Sequence, residues 1–174
     1  MQTIIIISVL ALIIYLVISS KIRYNHQNQK ISIDLYHYSS FIFPKASREG
    51  ILANLINEER TNKMLNDGDK LLIDSDIVSI AKFRAEELAK NNAISHRGAS
   101  KAFIQLNEMG SDGSAEILAY GYGYEEAVIY GWLRSEAHRK AMLNPLFDYF
   151  GVSCVKDSKN KWVDVVIFVN ENTI

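Results

Sequence analysis

Three side chains in this sequence offer chemistry that the rest of the chain does not: His96 in I-S-H-R-G, Glu116 in S-A-E-I-L-A-Y and His138 in S-E-A-H-R-K. Two imidazoles and a carboxylate are the donor set of a zinc centre that keeps one coordination position open. Such a centre either holds a ligand or, with the carboxylate as general base, activates water. Spacing alone does not establish it, because the three positions are far apart and no H-x-x-x-H pair shares a helix. Plainer roles are open to each residue. His96, beside Arg97, could cap a helix end or stay solvated, and His138 could merely cover a helical turn. Glu116 sits between Ala115 and Ile117, where a buried carboxylate is costly unless paired, and a histidine partner meets that need. Nucleophilic catalysis has less to stand on. The single cysteine, Cys154, lies in the apolar run F-G-V-S-C-V and reads as a buried strand thiol, and no serine has a recognisable activating context.

The elements that must position these residues can be read in order. Ser47 is a plausible cap for a first helix through Ile51, Leu52, Leu55 and Ile56 and on to about Met64, with Glu58, Glu59 and Arg60 on its polar side. The N-D-G-D cluster from Asn66 to Asp69 is a turn. A short run to Ile73 leads into Asp74-Ser75-Asp76, which caps a second helix. Its inward positions are Ile77, Ile80, Ala81, Arg84, Ala85 and Leu88, with Phe83 also expected to be buried and Asn91-Asn92 as its stop. Ser100 can cap a third helix that ends at Gly110. Residues 111–114 form a loop, Tyr124 to Leu133 a fourth helix, and Ser135 can cap a short fifth ending before Pro145. Trp132 reads as core, and Arg134 and Arg139 as exposed helix charges. Tyr120, Tyr122, Tyr124 and Tyr130 read as ordinary packing more than as a groove lining. Phe150–Val155 and Lys161–Val169 form a terminal hairpin around D-S-K-N. Helices followed by strands without strict alternation define an α+β fold, a sandwich with helices covering a small sheet.

With 174 residues the chain has room for one globular domain and an appendage. Nineteen basic against twenty acidic residues give a net charge of −1, and no basic run offers a phosphate track, so nucleic acid is not an expected partner. One cysteine excludes an internal disulfide framework. Residues 1–20 read as a single-pass transmembrane anchor or, less readily, a signal sequence. Ile4 to Ile18 is uncharged, and roughly 17 apolar residues span about 25 Å as a helix, slightly short of a ~30 Å hydrocarbon core. A cleaved signal would need a charged n-region and small residues at the cleavage site, and Val17-Ile18-Ser19 is a weak fit. Residues 21–46 read as a polar juxtamembrane linker with a strand-like alternation at Ile31, Ile33 and Leu35, and with His26 and His37 as solvated side chains. Lys21, Arg23 and Lys30 follow the apolar run, which by the positive-inside rule places the C-terminal domain in the cytoplasm.

The motifs L-I-N-E-E-R (Leu55 to Arg60), S-H (Ser95-His96), A-E-I-L-A-Y-G (Ala115 to Gly121), G-W-L-R-S-E-A-H-R-K-A-M-L-N-P (Gly131 to Pro145), F-G-V and K-W-V-D-V-V-I-F occur in that order. Together they resemble the bacterial branch of the CAP superfamily, the SCP-like domains of cysteine-rich secretory, antigen 5 and pathogenesis-related-1 proteins. The resemblance covers about residues 50–169. It implies a three-layer α-β-α sandwich over 47–174 and an extracytoplasmic location, against the flanking charges. It also implies a cavity with two histidines and two acidic residues that holds a divalent metal in some members. By motif His96 and His138 match the histidines and Glu116 the glutamate of the usual G-E-N, although Ala115 and Ile117 replace its Gly and Asn. Glu136 is the nearby choice for the second acid, unless it simply serves the helix dipole in the turn that Ser135 caps. Two functions follow as expectations. The first is a membrane-anchored module whose His/Glu cleft binds lipid, peptide or wall material, with or without zinc. The alternative is a metal-dependent hydrolase using the same residues.

Overall fold

The structure is a computed structural model that describes residues 47–170 except 65–69, 93, 109 and 112. The anchor over 1–20, the linker over 21–46 and the Asn66–Asp69 turn lie outside the described residues. Among the described residues, five helices and four strands follow in the order α1 (Arg48–Met64), β1 (Leu72–Ile73), α2 (Ser75–Asn91), α3 (Ala99–Glu108), β2 (Ser114–Tyr120), α4 (Glu125–Arg134), α5 (Glu136–Met142), β3 (Tyr149–Lys156) and β4 (Trp162–Val169). No helix among them is long and apolar enough to cross a membrane.

Local capping chemistry sets the helix ends. Ser47 Oγ accepts from the Gly50 N–H at 3.1 Å, which starts α1. Asp74 Oδ1 accepts from the Asp76 and Ile77 N–H groups at 2.9 and 3.0 Å, and Asn92 closes α2 in the left-handed conformation at φ 49°. Two of the expected caps are not used. The third helix begins one residue before Ser100, and Ser135 occupies the N-cap position of α5 without a side-chain hydrogen bond to its turn.

The sheet runs β1-β3-β4-β2, with β1 parallel to β3 and the other neighbours antiparallel. Strand alternation divides its faces. Leu118 of β2 and Val163, Val165, Ile167 and Val169 of β4 pack against the buried stripes of α2 and α3. Phe168, one residue out of phase, stacks with Phe147 and Phe150 at centroid distances of 5.7 and 6.4 Å on the opposite face. Contacts of α1, α4 and α5 with one another and with β2 and β3 form that second layer. The result is the α+β sandwich with a sheet between two helical layers.

Three features depart from the sequence reading. A strand, β2, occupies Ser114–Tyr120 and pairs along its length with β4 from Ser114↔Val169 to Tyr120↔Val163. Phe83 is 65% exposed although α2 buries Ile77, Ile80 and Leu88 around it, because it falls on the flank of that stripe. Arginine is the third. Arg60, read on a polar side, is buried, as are Arg48 and the inward-placed Arg84, and each has a set of acceptors that makes burial tolerable. Arg60 donates to the carbonyls of Met142 and Asn144 at 2.9 Å each and to that of Phe147 at 3.3 Å, clamping the end of α5 and the loop into β3. Its motif neighbour Asn57 binds the Leu71 backbone in both directions, at 3.0 and 2.8 Å. The L-I-N-E-E-R motif is therefore scaffold.

Candidate functional site

Glu116 lies in β2 opposite Ile167 of β4, so its side chain shares the face of Leu118 and points toward α2. The carboxylate is 1% exposed and fully engaged. Oε1 meets His96 Nδ1 at 2.9 Å and Oε2 accepts from Arg84 Nε at 2.8 Å. His96 comes from the loop joining α2 to α3, with its side chain more than half exposed. His138, the third residue of α5 and half-buried, faces it with ring centroids 6.3 Å apart and planes tilted 55°. α5 reaches this point because it packs against β2, whose position Trp132 of α4 also fixes by donating from Nε1 to the Leu118 carbonyl at 2.9 Å. His96, Glu116 and His138 thus converge at one edge of the sheet.

Glu136 does not join them. It is well exposed in the first turn of α5 and pairs with Lys140 at 2.7 Å, one turn along, the helix-end role that its place after Ser135 allows. Arg84 is the participant that sequence reasoning missed. Its place on the apolar stripe of α2 was visible, and an arginine there implies a buried acceptor. Nearby tyrosines go elsewhere. Tyr120 Oη donates to Asp157 Oδ2 at 2.7 Å, and Tyr130 lies under the guanidinium of Arg134 at 5.5 Å. Tyr122 covers Gly131, where a Cβ would fall 2.6 Å from its hydroxyl. Cys154 is buried in β3, where burial first and then the charge of Asp164 push its thiol far above the ordinary range, so it is no nucleophile.

The donor set does not fit a divalent metal. Among the described residues no three His, Cys, Asp or Glu side chains are disposed to hold one. The one carboxylate in the group already shares its charge with a guanidinium and its second oxygen with an imidazole.

Burial, and then the neighbouring His96, hold the His138 imidazole below its ordinary value of 6.5. The folded state thus binds this proton less readily than the unfolded chain does. Above pH 6.5 the difference has no effect on stability, and as pH falls below it the unfolded state gains. Stability should therefore fall on acidification from pH 7 through the window just below 6.5, less steeply in His138→Gln than in wild type. Urea midpoints measured from about pH 7.5 to 5.0 would show this, and equal slopes in the two proteins would contradict it.

The Cysteine-rich secretory protein family (CAP) matches residues 53–169, from α1 to the last residue of β4. The chain belongs to that family. It is 35% identical over 89 residues to the uncharacterized membrane protein YlbC of Bacillus subtilis, covering 48% of this chain and 25% of YlbC. It is 28% identical over 120 residues to YkwD of the same organism, covering 67% of this chain and 45% of YkwD. The chain thus spans a quarter and just under half of those relatives. Among solved structures, an outer surface protein of Borrelia burgdorferi superposes with a TM-score of 0.65 at 28% identity, over 75% of this chain and 97% of that one. A Staphylococcus aureus cysteine-rich secretory protein matches in fold, with a TM-score of 0.59 at 22% identity over 71% of this chain and 38% of its own.

Proposed function

We propose that this chain is a membrane-tethered, extracytoplasmic CAP-domain binding module that engages wall-derived glycan or peptide through His96 and His138. The observation that carries the reading is the commitment of both Glu116 oxygens, one to His96 and one to Arg84. Nδ1 of His96 is thereby turned to the Glu116 carboxylate, which Arg84 holds from its other oxygen. Nε2 is the nitrogen not bound to Glu116, on a ring more than half exposed opposite the half-buried His138. The complement is a hydroxyl or amide group on the ligand, either of which pairs with an imidazole nitrogen, and glycans and peptides carry both. The hydrolase alternative uses Glu116 as general base, for which it would first have to give up a contact to His96 or Arg84. The uncharged run from Ile4 to Ile18 supports the tether. The membrane-protein description of YlbC supports it as well, and the outer-surface description of the Borrelia burgdorferi protein supports the side, against the charges that follow the run.

The test uses the full chain in detergent, titrated with soluble wall fragments containing both glycan and peptide. Wild type is expected to bind, and His96→Ala to bind about tenfold more weakly, the equivalent of one hydrogen bond at ~1.4 kcal/mol. Undiminished binding in both His96→Ala and His138→Ala would refute the cleft as the binding site. A reporter active only outside the cytoplasm, fused after Ile174, is expected to be active in cells; an inactive fusion would place the domain on the other side.

A further inference from the structure

The cation already in this cleft is a guanidinium. Arg84 reaches it from the third turn of α2 with each nitrogen assigned to a different acceptor. Nε donates to Glu116 Oε2 at 2.8 Å, Nη1 to Glu87 Oε2 at 2.6 Å and Nη2 to the Ser95 carbonyl at 2.5 Å. The side chain is 3% exposed. Burial opposes its charge, but the hydrogen bonds it donates to Glu116 and then to Glu87 outweigh that cost and raise its pKa above the ordinary arginine value. The loop carrying His96 is closed over it. At Gly98, with φ of +90°, a Cβ would lie 3.2 Å from Arg84 Nη1, so the chain passes this close only because residue 98 has no side chain. Arg84 therefore holds His96 twice, through its carboxylate partner and through the carbonyl of the preceding residue.

We propose that Arg84 is the resident cation of this cleft, taking beside Glu116 the charge-balancing place that a divalent metal would otherwise take and positioning His96 for metal-free binding. The guanidinium supplies positive charge in a planar fork matched to a carboxylate. It is covalently tied to α2, so the charge cannot be removed by a chelator. Taking it away leaves one buried carboxylate beside two imidazoles, a latent site for a divalent ion. The inference stands whichever ligand the cleft takes, and its readout is separate from wall-fragment binding.

Cobalt(II) is the probe, titrated into the full chain and followed by visible absorption and by NMR broadening of the His96 and His138 imidazole signals. Wild type and Arg84→Lys, which keeps the charge, should show no band and unbroadened imidazoles. Arg84→Gln should gain a band that is at least about tenfold weaker when His96→Ala is added. A stoichiometric band in wild type that His96→Ala removes would overturn the proposal, as would a folded Arg84→Gln variant that stays silent. If Arg84→Gln does not fold, the wild-type imidazoles decide. Sharp signals at equimolar cobalt uphold the assignment, and broadened ones end it.

Discussion

Asp164→Asn is expected to destabilise the domain by about 3–5 kcal/mol, the usual cost of removing one partner of a buried ion pair. Asp164 is completely buried in β4, and its two oxygens accept from Arg48 Nε and Nη2 at 2.7 and 2.9 Å in a bidentate fork. Arg48 is nearly as buried and opens α1. Its Nη2 also donates to the Tyr122 carbonyl at 3.1 Å, its Nη1 lies 3.6 Å from Glu125, and its plane covers Trp162 at 4.9 Å. The pair therefore latches the first helix, the central strand and the turn into α4 to one another. An asparagine keeps the shape but leaves the guanidinium with a neutral partner in a site that excludes water. The Arg48→Met/Asp164→Leu double variant removes both charges and should be more stable than Asp164→Asn alone. Urea unfolding of the three proteins measures this. A loss below ~1 kcal/mol for Asp164→Asn, the value of an exposed pair, would show that the pair does not behave as a buried one.

Gly151→Ala is expected to reach or exceed the top of the ~1–3 kcal/mol range for overpacking. A Cβ there would collide with the carbonyl carbon of Ile77 and lie 2.5 Å from the nitrogen of Val78 and 2.6 Å from the oxygen of Ile77. All three are backbone atoms of the first turn of α2, so no side chain can rotate away. The helix must retreat from β3, and nearby the Asp74 N–H donates to the Phe150 carbonyl at 3.2 Å. Because α2 also carries Arg84, the shift should reach the cleft, and loss of stability should be accompanied by changed His96 imidazole NMR signals. Gly123→Ala is the control. A Cβ at Gly123 meets nothing within 4 Å, and its effect should stay within about 0.5 kcal/mol. Equal urea midpoints for the two variants would show that the close approach at Gly151 is relieved without cost.

Much of this fold was legible because its boundaries are local chemistry. Ser47, Asp74 and Asn92 act as caps within one turn of themselves, and the D-S-K-N turn sits between two β-rich runs that became β3 and β4. β2 was not legible for a physical reason. Ile117, Leu118 and Ala119 are all buried because helices cover both faces of the strand, so the polar alternation that marks a half-exposed strand is absent. The burial of Arg60 was hidden as well. Arg60 looks like part of a polar face until its carbonyl acceptors more than eighty residues away are known. The convergence of His96, Glu116 and His138 came from the order of the family motifs, since their spacing implied nothing. The identity of the cation beside Glu116 required coordinates.

The strand order has a consequence for synthesis. β4 follows all the other strands in sequence yet lies inside the sheet, between β3 and β2. While a ribosome is still translating residue 160, β2 has no neighbour to pair with and Arg48 has no Asp164. The helices can form as they emerge, but the sheet and the latch on the first helix wait for nearly the whole domain to leave the exit tunnel. A nascent chain halted before Trp162 should therefore stay open to protease, and it should close cooperatively once the strand through Val169 is free.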